Sequence, residues 1–297
     1  MRSLSSVDSK ELGLAAGLVF ARYFLNTDHL HYGYWPDDLP VDIQHLSQAQ
    51  DLYCDFLLSH IPSGTHTILD VGCGAGIMSK RMLSEGFHVE SVSPSLYLSS
   101  LAKENLGDKG LIHQSTFEEL TLDRKFDLLL FSESFQYIDL ARVFAKSRDL
   151  LTEKGHLLIC DFFRRDDATG ESGLGGGHSL KRFYEELETG GFTVEKDLDI
   201  TANTAPNMDL VGNMMEDLGK PLWDLFLYYI DSNYPRASRF ARWRYKKKIQ
   251  KIERKYFSGR RNARTFAADK SYRLLLLEPQ TSSEFGVQGS ETKSREK

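Results

Sequence analysis

Residues Ile68-Leu69-Asp70-Val71-Gly72-Cys73-Gly74-Ala75-Gly76 join an apolar strand-like run, an acid and three alternating glycines, and helical apolar spacing follows from Ile77 to Leu83. Glycines let the backbone turn sharply and leave bare main chain for a ligand. The chemistry implied is that of a nucleotide-type cofactor at the first strand-to-helix turn of an open α/β sheet, with a plain glycine turn as the bland alternative. A dinucleotide fingerprint requires its third glycine three places after the second. That place holds Ile77, and the glycine comes one residue early at Gly76. A second chemical candidate is Glu133, which follows the apolar run ending at Phe131. A carboxylate at the carboxyl end of a central strand points into the ligand crevice, where it would hold an ammonium acceptor or act as a base. His178 comes just after the loop Gly170–Gly177 and is a candidate base near neutral pH; a structural role at a helix start is the alternative. His29 and His31 are weaker candidates. No His, Cys, Asp or Glu cluster has metal-ligand spacing, so no catalytic metal is expected.

The elements that must position these residues alternate. Strands are expected at 66–72, 88–93, 110–114, 126–132, 155–163, 192–200 and 271–278, with helices at 76–86, 95–106, 139–151 and from a Ser179 cap to Thr189. Gly86 and Gly155 fall where helices or turns should end. The run through Phe131 suits a strand buried on both faces. The reading is an α/β fold, a Rossmann-like seven-stranded mostly parallel sheet with an antiparallel last strand. Residues 1–60 form N-terminal helices around an aromatic loop, with Leu12–Ala21 as a docking helix; 61–202 and 267–278 form the core. Residues 203–266 are an inserted helical cap before the last strand, in which Tyr245, Ile249, Ile252 and Tyr256 recur at helical spacing, and 279–297 are a polar tail expected to be disordered. The 41% apolar content suits a globular chain that buries a core. Three scattered cysteines fit neither a disulfide framework nor a zinc site, and no apolar run approaches a membrane span, so a cytoplasmic protein without targeting segment is expected.

The glycine turn with Asp70 inside it resembles motif I of the class I S-adenosylmethionine-dependent methyltransferases, an apolar pair, an acid, an apolar residue, then G-x-G-x-G. The aromatic loop His29-Leu-His-Tyr-Gly-Tyr-Trp35 and the segment Leu46-Ser-Gln-Ala-Gln50 resemble those of cyclopropane fatty-acid synthase-like methyltransferases, with coclaurine N-methyltransferases and sterol and tocopherol C-methyltransferases close by. The resemblance covers 29–164 well and 165–278 in outline. It implies S-adenosylmethionine as cofactor, held by Gly72, Gly74 and Gly76 with Asp70 fixing the turn, and Tyr32 closing over it. It also implies contributions from Ser132, from Ser93 where many members carry a ribose-binding acid, and from Thr116 and Phe117 beside adenine. Glu133 and Ser134 match the family's strand end, whereas Gln136 and Tyr137 depart from it. Tyr137, in the usual histidine's place, argues against bicarbonate-assisted cyclopropanation and joins Glu133 and His178 as a catalytic candidate. Tyr34 and Trp35 are substrate-side candidates; packing of the N-terminal helix is their alternative.

Charge is segregated. Residues 236–264 hold thirteen Lys or Arg and one acid, Glu253, leaving 24 basic and 41 acidic residues elsewhere. A solvated helix face is the plain reading; the others are an anionic substrate, membrane surface, carrier protein or nucleic acid. No nucleic-acid module is recognised. Three functions remain open: methylation of a small acceptor, amphipathic or natural-product-like, held between core and cap, methylation of RNA or a carrier-bound substrate gripped through 236–264, and non-catalytic cofactor binding.

Overall fold

The computed structural model describes residues 9–170 and 173–280. Seven strands form one sheet in the order β3-β2-β1-β4-β5-β7-β6. They are β1 (Thr67–Val71), β2 (His88–Val92), β3 (Leu111–His113), β4 (Phe126–Ser132), β5 (Leu151–Arg164), β6 (Phe192–Asp199) and β7 (Lys270–Pro279). β1 pairs in parallel with both β2 and β4, and β7 runs antiparallel to its neighbours β5 and β6. The chain builds outward from β1 in one direction and restarts with β4 on the other. This topological switch point is where open α/β sheets bind ligands, outside the carboxyl ends of the strands.

Alternate strand residues enter opposite cores. Leu129, Phe131, Leu157 and Ile159 pack against α5 (Leu140–Leu150) and α6 (Leu180–Thr189). Leu128, Leu130, Leu158 and Cys160 pack against α2 (Leu46–Leu58) and α3 (Ile77–Ser84). β4 therefore has its apolar run buried on both faces, as a central parallel strand requires. Side-chain caps start the helices where local chemistry favours it. Ser95 accepts from Leu98 N–H at α4 (Leu96–Leu106), Asp139 from Arg142 N–H at α5 and Ser179 from Arg182 N–H at α6.

Several elements differ from the sequence expectations. β5 begins at Leu151, which pairs with Phe126 across a register shift, so Gly155 lies inside the strand and not at an element end. A Cβ on Gly155 would lie 2.9 Å from Phe126 O, which explains a glycine at this irregular pairing. The N-terminal helix α1 (Ser9–Phe20) buries Leu18 against Ala75, Leu98 and Leu101, while its Val19 and the following Tyr23 and Phe24 are exposed. The tail lies outside the described residues from residue 281; Pro279 ends β7.

Residues 203–266 are mostly helical, with a non-helical stretch at 257–262. α7 (Thr201–Thr204), α8 (Pro206–Met214) and α11 (Ala263–Asp269) reach the core through Met208 and Phe266. α9 (Lys220–Asn233) buries no residue, and α10 (Pro235–Tyr256) leaves Phe240, Trp243 and Tyr245 exposed beside its basic side chains.

Candidate active site

The glycine turn is shaped by what crosses it. Gly72, at φ +80°, donates its N–H to Val92 O at 2.8 Å, and a Cβ there would lie 2.4 Å from Ser134 Cβ. The chain leaving β4 passes so close that only glycine fits, and Ser134 Oγ fastens this approach by donating to Val71 O. Gly74 is different: at φ +55° its Cβ would meet only Leu30 Cδ1, at 3.6 Å. Its bare face is open to the cleft, a cradle for a ligand against main chain. Asp70 is buried and accepts from Ser79 Oγ of α3, which contacts Ser91 Oγ of β2 at 2.9 Å. Burial pushes its carboxyl up to about 6, and the Ser79 hydroxyl opposes the rise. Asp70 thus locks the turn to its two neighbouring elements.

A cleft of about 270 Å³ opens over this turn, walled by Gly72–Ala75, Ser93–Ser95 and Ser132–Ser134, with His29, His31 and Tyr137 at its side. The open Gly74 face and the apolar Leu98 and Met78 walls fit an adenosine-type ligand with a methionine arm. Ser93 and Ser95 follow the end of β2 and line the same cleft.

Glu133 directly follows β4 and lies in the left-handed region at φ +55°, sparsely populated for a residue with a side chain and often found at functional sites. Its N–H donates to Cys160 O at 2.9 Å. Its Oε1 accepts from Tyr32 N–H and from the Tyr272 hydroxyl, each at 2.7 Å. The Tyr272 hydroxyl lies 3.1 Å from the Tyr53 hydroxyl, itself 3.1 Å from Ser132 Oγ. Burial raises the Glu133 carboxyl to about 8; the two donated hydrogen bonds pull it back, and nearby Asp161 adds to the rise. Asp161, at the adjacent end of β5, is raised by burial to about 7 while it accepts from the N–H groups of Gln136 and Phe162 and from Gln136 Nε2.

The aromatic loop is clamped from two sides. Gly33 packs against Ala49 so closely that a Cβ would lie 2.6 Å from Ala49 Cβ, and Tyr34 N–H donates to Ala49 O at 2.8 Å. Gln50 Nε2 donates to His31 O at 2.8 Å while its Oε1 accepts from Thr27 Oγ1 at 2.9 Å. From the other side Asn207 accepts from Gly33 N–H at 2.8 Å and donates to Gly33 O at 2.7 Å; Trp35 N–H donates to Asn203 O at 2.9 Å. This gives the Ala49-Gln50 pair of α2 a physical purpose.

Of the residues expected at the site, Asp70, Gly72, Gly74, Ser93, Ser132, Glu133 and Tyr137 line the cleft, and Gly76 closes the turn against Ala102. The others lie elsewhere. Tyr32 reaches Glu133 by its main chain, while its ring packs among Phe162, Phe266 and Tyr272. Tyr34 stacks on Phe56, and Trp35 is buried. Thr116 Oγ1 accepts from Glu119 N–H, and Phe117 is a core residue set edge-on to Phe131. His178 is spent on Phe135 O at 3.2 Å, and burial lowers its pKa. Asp161, Tyr53, Tyr272 and Asn207, which stand behind Glu133 and the aromatic loop rather than in the cleft, are supporting residues that sequence reasoning missed. Asp161 carried the one available signal, an acid at the end of a strand next to that of Glu133.

Residues 69–159 match the family model described as a methyltransferase domain. The methyltransferase GfsG of Streptomyces halstedii is 29% identical over 148 residues, 47% of this chain and 52% of that protein. A ubiquinone biosynthesis O-methyltransferase of Rickettsia felis is 27% identical over 163 residues, 52% of this chain and 59% of that protein. The chain thus spans between half and three-fifths of the length of these curated relatives. A geranyl diphosphate methyltransferase, solved with geranyl diphosphate and sinefungin, superposes with a TM-score of 0.61 at 18% identity, covering 84% of this chain and 88% of that one. The matched domain is a class I S-adenosylmethionine-dependent methyltransferase domain, and the strand order and switch-point cleft are those of that fold. Its cofactor is S-adenosylmethionine.

Proposed function

We propose that this chain transfers a methyl group from S-adenosylmethionine to a small-molecule acceptor held beside Glu133. The observation that carries this reading is the juxtaposition, in one cleft, of the open Gly74 cradle with a buried carboxyl at the end of β4. When bound, the cofactor supplies an electrophilic methyl group on a sulfonium, and in-line displacement requires an aligned acceptor and exclusion of water. Gly72, Gly74 and the Ser93–Ser95 edge would hold the cofactor. Glu133, as a carboxylate, accepts the proton of a hydroxyl acceptor or holds an ammonium group. Tyr32 N–H and the Tyr272 hydroxyl fix that carboxyl in place. A hydroxyl acceptor draws support from the O-methyltransferase among the relatives.

A second reading is favoured by the exposed aromatic and basic side chains of α10, in which the acceptor is attached to an anionic carrier or nucleic acid. No residue of 203–266 lines the cleft, so the helical insertion does not itself roof the cofactor site. The test is incubation with methyl-labelled S-adenosylmethionine and a fractionated extract, followed by mass spectrometry of the labelled product. A labelled small molecule supports the first reading. Label confined to macromolecules supports the second, and cofactor binding without any S-adenosylhomocysteine production returns the chain to a binding module.

A further inference from the structure

The fold brings Cys54 of α2 against a His-x-His pair of the aromatic loop. His31 Nε2 lies 2.9 Å from His29 Nδ1 and 3.5 Å from Cys54 Sγ, and Cys54 Sγ lies 4.0 Å from His29 Nδ1. His29 and His31 come from the aromatic loop and Cys54 from α2. Tetrahedral zinc with bonds of about 2.05 Å to nitrogen and 2.3 Å to sulfur separates two nitrogens by about 3.3 Å and nitrogen from sulfur by about 3.6 Å. The three observed separations lie within about 0.5 Å of those edges.

Hydrogen bookkeeping gives an independent argument. His31 Nδ1 is 2.8 Å from Tyr32 O, which can only accept, so Nδ1 carries the hydrogen. In the neutral ring Nε2 therefore presents a lone pair to His29. His29 Nδ1 lies against that lone pair at 2.9 Å while its Nε2 faces the Asp51 carboxylate at 3.4 Å, and a neutral imidazole has one hydrogen for the two. A cation between the rings lets that hydrogen sit on Nε2. His29 then donates from Nε2 to Asp51 and both lone pairs, together with the Cys54 sulfur, bind the ion. A carboxylate behind a ligating histidine is the usual support of such sites. Arg81, the neighbouring cation, is held by Asp51 and Asp55.

We propose that His29, His31 and Cys54 form a binding site for a zinc-class divalent cation, which pins the aromatic loop to α2. Nitrogen and sulfur donors select zinc or cobalt over magnesium. On binding, the Cys54 thiol gives its proton to solvent and its thiolate becomes the ligand. Three protein ligands with a fourth position for water or substrate is the composition of an open zinc centre, and His29 and His31 do line the cleft.

The test titrates chelator-stripped protein with Co²⁺. The expected result is one equivalent bound with a sulfur-to-cobalt charge-transfer band, displaced by Zn²⁺. The band disappears in Cys54→Ser and persists in Cys73→Ser. The exposed Asp51→Asn leaves the fold intact and weakens binding about 10-fold or more. Circular dichroism of the metal-free variants checks that each is folded. Failure of the wild-type chain to bind stoichiometric Co²⁺ or Zn²⁺, or a charge-transfer band unchanged in folded Cys54→Ser, overturns the proposal. Both readouts are independent of methyl transfer.

Discussion

At the scale of single residues, Glu133 combines a strained backbone, a half-buried position on the cleft wall and two fixed donors, and its carboxyl is raised to about 8. If it acts as a base, only the ionised form works, so kcat should climb with pH and level off above about 8; a rate already flat from pH 6 would remove it from that role. Glu133→Gln retains an oxygen for the Tyr32 and Tyr272 donors but cannot take a proton. We expect kcat to fall by about 100-fold or more, with S-adenosylhomocysteine affinity by calorimetry changed less than about threefold. Gly74→Val acts on the other partner. Its φ of +55° disfavours a branched side chain, and the new atoms enter the open face of the cradle. Cofactor binding should be lost while the folded circular dichroism spectrum remains.

The elements that hold these residues are a strand end, a glycine turn and a loop clamped between α2 and the α7–α8 region. Gly33→Ala inserts a methyl 2.6 Å from Ala49 Cβ. Overpacking of this kind costs about 1–3 kcal/mol, read as a lower denaturation midpoint, and should lower kcat because the displaced loop carries the Tyr32 N–H that fixes Glu133. The Leu46-to-Gln50 segment was legible in the sequence as a family mark. Its reason was not, because Gln50 bonds to Thr27 and His31, about twenty residues away, and Ala49 is small only to admit Gly33. In the same way Phe117 and Trp35 read as ligand contacts because aromatic residues serve both cores and cofactors. Which role each fills depends on the direction the side chain takes once the sheet has formed, and both are buried.

For the whole molecule, three buried carboxyls affect stability together. Asp70, Asp161 and Glu133 are raised to about 6, 7 and 8 from ordinary values of 3.8, 3.8 and 4.5. Between these ordinary and raised values the folded chain binds more protons than the unfolded one, so stability falls as pH rises from about 4 to 8. Urea midpoints at pH 5 and 8 measure this; a higher midpoint at pH 8 would contradict it. Among the described residues no helix is long and apolar enough to cross a membrane. The α9–α10 hairpin nevertheless presents aromatic side chains among its basic ones. If it grips an anionic carrier or nucleic acid, affinity should drop steeply between 50 and 200 mM salt, by about tenfold or more, whereas turnover of a free small molecule should barely respond.

The sequence by itself determined the alternation of strands and helices, the glycine turn, the acid within it and the carboxylate at the end of β4. These are local: periodicity, turn chemistry and short spacing fix them wherever the rest of the chain goes. Only the tertiary structure decided which aromatic residues face the cleft, that Asp161 stands beside Glu133, and that His29, His31 and Cys54 converge. Those contacts join elements far apart in the chain, and their geometry exists only after the loop has been clamped between helix and sheet. The sequence showed no metal-ligand spacing for the same reason. His29 and His31 are near neighbours along the chain, but Cys54 joins them only through the fold.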